Sequence, residues 1–396
     1  MRLPVVIMII LMVVNVFVDI YIWRRIVDVS KKRWQGVVYA WSSLLCLLYI
    51  IVVVCLPRRS GSDESLVTIM WLLYAYFSIY LPKYVFCLFS WVGMIPKLWH
   101  KRRWEWLDWG GAVAAFLLFV VMWWGAVVNR TSYKINEVEL TFPELPKAFD
   151  GYKIVQFSDF HVGTYGNDTA YVSKVVDVMN GIGADAIFFT GDLVNRRTGE
   201  LEPFIEPLSR LKAADGVYSV LGNHDYGDYC DWATPDEKAA NMEAMYRSQA
   251  EMGWKLLRNE TAYIYSDSDS IAVIGVENWG DPPFTVYGDL GKSYPALNDS
   301  TFKILLTHNP AHWVTEIADN DSANVALSMS GHTHAMQMQV GSWSPAKYRY
   351  PTWGGLYQDK KKDHSLYVNI GLGTVAIPSR IGATPEITVF TLKSSQ

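Results

Sequence analysis

Ala186-Ile187-Phe188-Phe189-Thr190-Gly191-Asp192 is an apolar, β-prone run that stops at a glycine and then at a carboxylate. The same device recurs through the second half of the chain. Tyr152 to Phe157 leads to Ser158-Asp159-Phe160-His161, and Val217 to Leu221 leads to Gly222-Asn223-His224-Asp225. Phe302 to Thr307 leads to His308, and Val325 to Ser330 leads to Gly331-His332-Thr333-His334. Segments with helical periodicity, Ala170 to Asn180 and Leu201 to Lys212, separate the early runs. Short apolar strands alternating with amphipathic helices predict an α/β fold, in which polar side chains collect on loops beyond the carboxyl ends of the strands. Asp, Asn and His at five such ends are spaced too far apart for a local metal clip, so the fold must bring them to one point.

The 396 residues, 51% of them hydrophobic, fall into two unlike parts. Up to Val128 the chain is dominated by apolar runs, and residues 129–396 carry dispersed charge as a soluble domain does. Four runs, 3–23, 36–56, 66–95 and 110–128, approach or exceed the roughly 20 residues that cross a bilayer as helix. The first is longer than the apolar core of a signal peptide and lacks a cleavage pattern, so it reads as a span. Arg24, Arg25, Lys31, Lys32 and Arg33 follow the first run, and Lys97, Lys101, Arg102 and Arg103 follow the third. Positive loops stay in the cytoplasm, which predicts both termini on the other side. Pro82-Lys83 lies near the middle of the third run, which is either one kinked helix or a re-entrant turn. The kinked helix is the expectation, because about 30 residues cannot make two full crossings. Asp19 and Lys83 read as bundle-facing or interfacial residues rather than a transport site.

The expected layout is therefore a transmembrane region over 1–128, a connector over 129–150 and a soluble domain over 151–396. A net charge of −4 offers no basic footprint, so nucleic acid is not an expected partner. Cys46, Cys55, Cys87 and Cys230 supply no disulfide framework, since only the last lies in the soluble part. Carboxylate, imidazole and amide oxygen together suit Mn, Fe or Zn, and one bridging carboxylate can hold two such ions about 3.5 to 4 Å apart.

On these residues the chain resembles the calcineurin-like metallophosphoesterase superfamily. Its pattern stands here as Asp159-Phe160-His161, Gly191-Asp192-Leu193-Val194-Asn195, Gly222-Asn223-His224-Asp225, His308 and Gly331-His332-Thr333-His334. Gly354-Gly355-Leu356-Tyr357, the segment Tyr367 to Thr374 and Ile377-Pro378-Ser379-Arg380-Ile381-Gly382 are similar to the membrane-anchored, YkuE-like bacterial branch. The resemblance implies a four-layer αββα sandwich and two divalent metal ions. Asp159, His161, Asp192 and His334 would hold one, and Asp192, Asn223, His308 and His332 the other, with Asp192 as the bridge. It further implies that a water activated by the metals attacks phosphorus in line, while His224 stabilises or protonates the leaving oxygen. The expected setting is a bacterial cytoplasmic membrane with the domain on its outer face. The expected substrate is a phosphate ester or pyrophosphate, either lipid-linked or a soluble periplasmic compound. A non-catalytic sensor or scaffold is the reading from another class.

Asn195 departs from the family pattern, where many members carry Asp. An amide can orient His224 but cannot stabilise imidazolium by charge, which predicts a lowered His224 pKa unless Asp225 compensates. Arg380 is a candidate phosphate contact, because guanidinium matches phosphate bidentately. His312 reads as a helix-surface residue, and His100 and His364 as solvated ones, the latter beside the charged run Asp359 to Asp363. The aromatic loop Gly341 to His364, with Trp343, Tyr348, Tyr350, Trp353 and Tyr357, is a candidate substrate rim or membrane-interface segment.

Overall fold

A computed structural model describes residues 3–27, 32–280, 285–320, 322–359 and 364–395, with side chains from residue 8 onward. Lys31 and 360–363 lie outside the described residues. The chain divides into two compact units, Met1–Arg58 with Thr68–Ala126, and Arg59–Val67 with Val127–Gln396.

The first unit is built from α1 (Leu3–Ile22), α2 (Arg33–Cys55), α3 (Asp63–Val92) and α4 (Trp106–Val127). Among the described residues, α2, α3 and α4 belong to the three helices long and apolar enough to cross a membrane, and α1 is a further helix of 20 residues. Their outward side chains include Phe17, Trp41, Leu45 and Phe116, each more than half exposed, as helices facing hydrocarbon require. α3 runs unbroken through the buried Pro82, so the re-entrant turn is not formed. Asp19 and Lys83 face the bundle as a pair 2.7 Å apart, and Tyr39 and Tyr80 each donate to the Asp19 carboxylate at 2.9 Å. Such a charge pair is tolerated in an apolar bundle because partners satisfy both ends.

The second unit holds two six-stranded sheets among its described residues. The first contains β1 (Lys134–Phe142), β2 (Lys153–Phe157), β3 (Ala186–Phe189), β4 (Val217–Ser219), β5 (Trp254–Leu256) and β12 (Glu386–Ser394), ordered β1-β12-β2-β3-β4-β5. The second contains β6 (Glu260–Ser266), β7 (Asp269–Gly275), β8 (Phe302–Leu306), β9 (Leu327–Ser330), β10 (Gly355–Gln358) and β11 (Ser365–Val368), ordered β10-β11-β9-β8-β7-β6. Successive side chains of a strand point to opposite faces, and the packing follows that period. Ala186 and Phe188 join Ile304, Leu306, Leu327 and Met329 in the core between the sheets. Ile187 and Phe189 join Val172, Val175 and Val176 of α5 (Ala170–Ile182) and Met245 of α7 (Pro235–Glu251) on the outer face. Leu305, Leu366 and Val368 pack with Trp313 and Ile317 on the far side of the second sheet. The layers are therefore helix, sheet, sheet, helix, as expected.

β2, β3 and β4 are parallel neighbours, as are β8 and β9, so the five polar strand ends emerge from carboxyl ends. One local expectation needs correction, and one is extended. The strand-like reading of Val138 to Phe142 within the connector becomes an edge strand over Lys134–Phe142, paired in parallel with β12 from Lys134↔Glu386 to Phe142↔Ser394. The helix expected over 201–212 is a 3-10 turn, Thr198–Phe204, followed by the short α6 (Ile205–Ser209), with Pro203 and Pro207 interrupting the regular ladder.

Close backbone approach holds the loops together. A Cβ on Gly373 would lie 1.7 Å from the Phe160 carbonyl oxygen, whereas one on Gly181 in α5 would meet nothing within 4 Å. Gly373→Ala is expected to destabilise the chain by at least about 2 kcal/mol, and Gly181→Ala to leave it unchanged or up to about 1 kcal/mol more stable. Equal unfolding midpoints for the two variants would show that this approach is not required.

Candidate metal centre

The strand ends converge on two overlapping clusters. Asp159, His161, Asp192 and His334 bring one ligand atom each within 4.8 Å of one another, and Asp192, His308 and His332 do the same. Asp192 belongs to both. Asn223 joins the second cluster, its Oδ1 lying 3.2 Å from His308 Nε2 and 2.9 Å from His332 Nδ1. His161 Nε2 is 3.1 Å from His334 Nε2, and His334 Nε2 is 3.1 Å from Asp159 Oδ1. His308 Nε2 is 3.2 Å from Asp192 Oδ2 and 3.2 Å from His332 Nδ1.

The ring orientations test whether these groups fit cations. His161 Nδ1 donates to the Val194 carbonyl at 3.0 Å and His308 Nδ1 to the Thr190 carbonyl at 2.8 Å, which turns each Nε2 inward. His332 Nε2 faces the Tyr350 hydroxyl at 3.2 Å, which turns its Nδ1 inward. Inward nitrogens and carboxylate oxygens about 3 Å apart repel one another unless a proton or cation lies between them. A metal about 2.0 to 2.2 Å from each ligand sets neighbouring donors at about that separation. Outer hydrogen bonds of this kind are what orient metal-binding imidazoles. The donors therefore fit divalent ions.

Electrostatics point the same way. Burial works against the Asp192 charge, yet His308, His224 and hydrogen bonds from His161 and His308 hold its carboxyl well below the usual range. Burial pushes His161 down to about 4, and burial with the neighbouring His308 pushes His332 down to about 3, so both rings are neutral ligands at neutral pH. His308 is raised to about 9 although burial opposes it, because the Asp192 carboxylate holds its proton; a cation there takes that proton's place.

The backbone around the clusters is strained. Asp159, His161, Asp192, His332 and His334 all have positive φ, between 46° and 75°. Left-handed conformations of this type cost of order 1 kcal/mol or more per residue and gather at functional sites. They persist here because backbone bonds bind the loops to one another, Asp159 N to the Gly191 carbonyl at 2.9 Å and His161 N to the Asp192 carbonyl at 3.2 Å.

His224 is partly buried, and its Nδ1 donates to the backbone carbonyl of Asn195. Burial lowers its pKa, opposed by the Asp192 charge. The Asn195 side chain does not reach His224 by a hydrogen bond: its Oδ1 accepts from Thr164 Oγ1 at 3.3 Å, and its buried Nδ2 has no hydrogen-bond partner among the described residues. Asp225 does not compensate from beside the ring. Its carboxylate accepts the N–H groups of Asp192, Leu193, Val194 and Gly222, which makes it a brace for two loops. Arg380 is likewise fully buried rather than open to substrate. Its guanidinium donates to the carbonyls of Gly373, Ala383 and Ile370 and lies 3.3 Å from His334 Nδ1.

His312 is not on the surface. It is buried, bonded to Thr307 Oγ1 at 3.0 Å and stacked on Trp279, and neither cluster includes it. His364 is buried 3.2 Å from the Asp359 carboxylate rather than solvated, while His100 is exposed as expected. Nothing in the local pattern marks Tyr229, whose ring stacks on His224 at 4.1 Å and whose hydroxyl accepts from Asn223 Nδ2 at 2.8 Å. Its position six residues beyond Asn223 is the only hint that the sequence offers.

Comparison with known proteins agrees with the geometry. Residues 1–130 match the family model described as "Probable Calcineurin-like phosphoesterase, transmembrane domain", and residues 152–336 match "Calcineurin-like phosphoesterase". The uncharacterized metallophosphoesterase YkuE of Bacillus subtilis is 32% identical over 294 residues, 72% of this chain and 95% of YkuE. The chain belongs to the calcineurin-like metallophosphoesterase family. A transmembrane protein with metallophosphoesterase domain from Danio rerio is 28% identical over 291 residues, covering 72% of this chain and 62% of that protein. A solved dimetal phosphatase from Danio rerio is 12% identical with a TM-score of 0.33, over 56% of this chain and 88% of that one. This metallophosphoesterase is thus a phosphoester hydrolase with a membrane-spanning region and clustered Asp and His ligands for divalent metal.

Because Asp192 serves both clusters, its loss should impair the whole centre. In the metal-stripped full chain, added Mn is expected to raise the unfolding temperature, and Asp192→Asn to lose most of that rise. An undiminished rise in the variant would show that the ion is held elsewhere.

Proposed function

We propose that this metallophosphoesterase binds two divalent ions, Mn, Fe or Zn, and hydrolyses a phosphate ester or pyrophosphate at the outer face of a bacterial cytoplasmic membrane. The observation that carries this reading is the pair of donor clusters joined through Asp192. Two bound ions would supply Lewis acidity toward the phosphoryl oxygens and lower the pKa of an attacking water. Asp159, His161, Asp192 and His334 hold one ion, and Asp192, Asn223, His308 and His332 the other.

The protein's own groups position the reaction. The Asn195 carbonyl accepts a hydrogen bond from His224 Nδ1, which leaves Nε2, when the ring carries its second proton, to stabilise or protonate the leaving oxygen. Tyr229 stacks against the ring and restricts its rotation.

Loop charge supports the outer-face placement. In chain order the Arg- and Lys-rich segments follow α1 and α3, whereas Arg59–Val67 and Val127 follow α2 and α4, and positive loops stay in the cytoplasm. The unbroken α3 keeps that alternation, since it crosses once.

Turnover of bis(4-nitrophenyl) phosphate by the full chain with added Mn tests the reading. Activity abolished by EDTA and by Asp192→Asn is expected, and His224→Ala should lower kcat by about 10²- to 10⁴-fold. No turnover with Mn, Fe or Zn would sink the enzyme and favour a non-catalytic sensor. The pH profile addresses Asn195 separately. A carboxylate introduced by Asn195→Asp raises the His224 pKa, so the limb where activity falls with rising pH should move to higher pH. An unchanged profile would mean that position 195 does not control the charge on His224.

A further inference from the structure

The rim of the metal centre is tied at two places to residues where the chain enters or leaves its apolar helices. One is the segment Arg59–Val67, between α2 and α3 and part of the second unit. Arg59 donates to Asp231 Oδ1 at 2.7 Å and to the carbonyls of Asp228 and Cys230 at 2.8 and 3.1 Å, on either side of the Tyr229 that stacks on His224. Asp63 accepts from Arg196 Nη2 at 2.7 Å and Arg197 Nε at 2.9 Å, next to the Asn195 whose carbonyl holds His224.

The other is Asn129, two residues past the end of α4. Its Nδ2 donates to the Arg380 carbonyl at 2.9 Å, and its Oδ1 accepts from Thr384 at 3.0 Å. The neighbouring Ile381 exchanges backbone bonds with Gln337 and Gln339 at 2.8 Å, in the strip that follows His334. The strip is thus joined through Ile381 and Arg380 to Asn129, the second residue past the last helix.

The strip is apolar and open. Met336, Met338, Val340, Tyr348 and Ile377 are 45%, 38%, 63%, 76% and 49% exposed. Contiguous exposed apolar side chains beside a functional site mark an interaction surface, and its occupant here follows from the anchors. Both tethers are residues that border the apolar helices in the chain, and apolar and aromatic side chains are those that settle at the headgroup boundary.

We propose that Met336, Met338, Val340, Tyr348 and Ile377 rest in the lipid headgroup–acyl boundary, so that the metal centre opens at the membrane surface and takes a phosphoester or pyrophosphate carried by a lipid. The contact stands on the geometry alone; the substrate half rests on the phosphoesterase reading. Photocrosslinking tests the contact. In the full chain reconstituted in phosphatidylglycerol and phosphatidylethanolamine vesicles, p-benzoylphenylalanine at Val340 should label lipid at least tenfold more than the same group at Tyr265, which is 72% exposed on β6. Equal labelling would overturn the contact whether or not the protein is active.

Inhibition of chromogenic phosphodiester turnover tests the substrate class. Vesicle-borne phosphatidic acid should inhibit at tenfold or more lower concentration than glycerol 3-phosphate, and Val340→Asp with Ile377→Asp should erase that advantage while leaving turnover of the soluble substrate within twofold. Equal inhibition by the two phosphates, or an advantage that survives the double substitution, would overturn the lipid-borne substrate. Absence of chromogenic turnover would instead be a failure of the phosphoesterase reading, and the crosslink would still decide the contact.

Discussion

The Asp225 carboxylate is the constraint on which the metal centre depends. It gathers four backbone N–H groups, three from the loop after β3 and one from the loop after β4. One buried side chain thereby fixes the position of Asp192 relative to Asn223 and His224. Burial and the neighbouring Asp192 charge push the Asp225 carboxyl up to about 7, and removal of the acceptor would orphan four buried donors at once. Gly191 and Gly222 meet beneath this knot, where a Cβ on Gly222 would lie 2.2 Å from Asp192 Oδ1. The shared ligand can approach both clusters because nothing bulkier fills that space.

The same knot explains how five ligands can persist in left-handed backbone. Each is strained, and each strained residue is bonded into a neighbouring loop: the Asp159 carboxylate accepts the His332 N–H, and Asp192 Oδ1 accepts the His224 N–H at 2.8 Å. Ligands are thus positioned by other ligands' loops rather than by their own strands. Such a scaffold holds imidazoles and carboxylates close together, an arrangement whose mutual repulsion divalent cations would relieve.

The candidate ligands stand out in the sequence because each falls two to four residues beyond the end of a strand, and strand, glycine and polar residue are local signals. The two-sheet architecture was legible only through family resemblance, since alternating apolar runs do not reveal that β12 inserts between β1 and β2. The missed features are all long-range. Val138 to Phe142 alternates as a strand does, but the partner of β1 lies some 250 residues away and no local signal names it. Arg380 looked like a phosphate contact because guanidinium suits both tasks, and only its three carbonyl acceptors decide between them. Asn195 was noticed for its side chain, yet the atom that reaches His224 is its carbonyl oxygen, which every residue type possesses.

That carbonyl is held by a relay reaching outside the soluble sequence. Glu200 accepts the N–H groups of Asn195 and Arg196 at 2.7 and 3.1 Å, which fixes the turn that aims the Asn195 oxygen at His224. Arg196, only 2% exposed, extends from the same turn to Asp63 and to the Gly61 carbonyl at 2.6 Å. Residues 59–67 are therefore part of the soluble unit although they lie between two apolar helices in the sequence. A chain cut to begin at Asn129 would remove the Asp63 carboxylate and the Gly61 carbonyl from Arg196, whose Nε also lies 4.0 Å from Glu200. The support of His224 is consequently a property of the membrane-anchored chain, because the Asp63 carboxylate from between its apolar helices holds the arginines that follow Asn195.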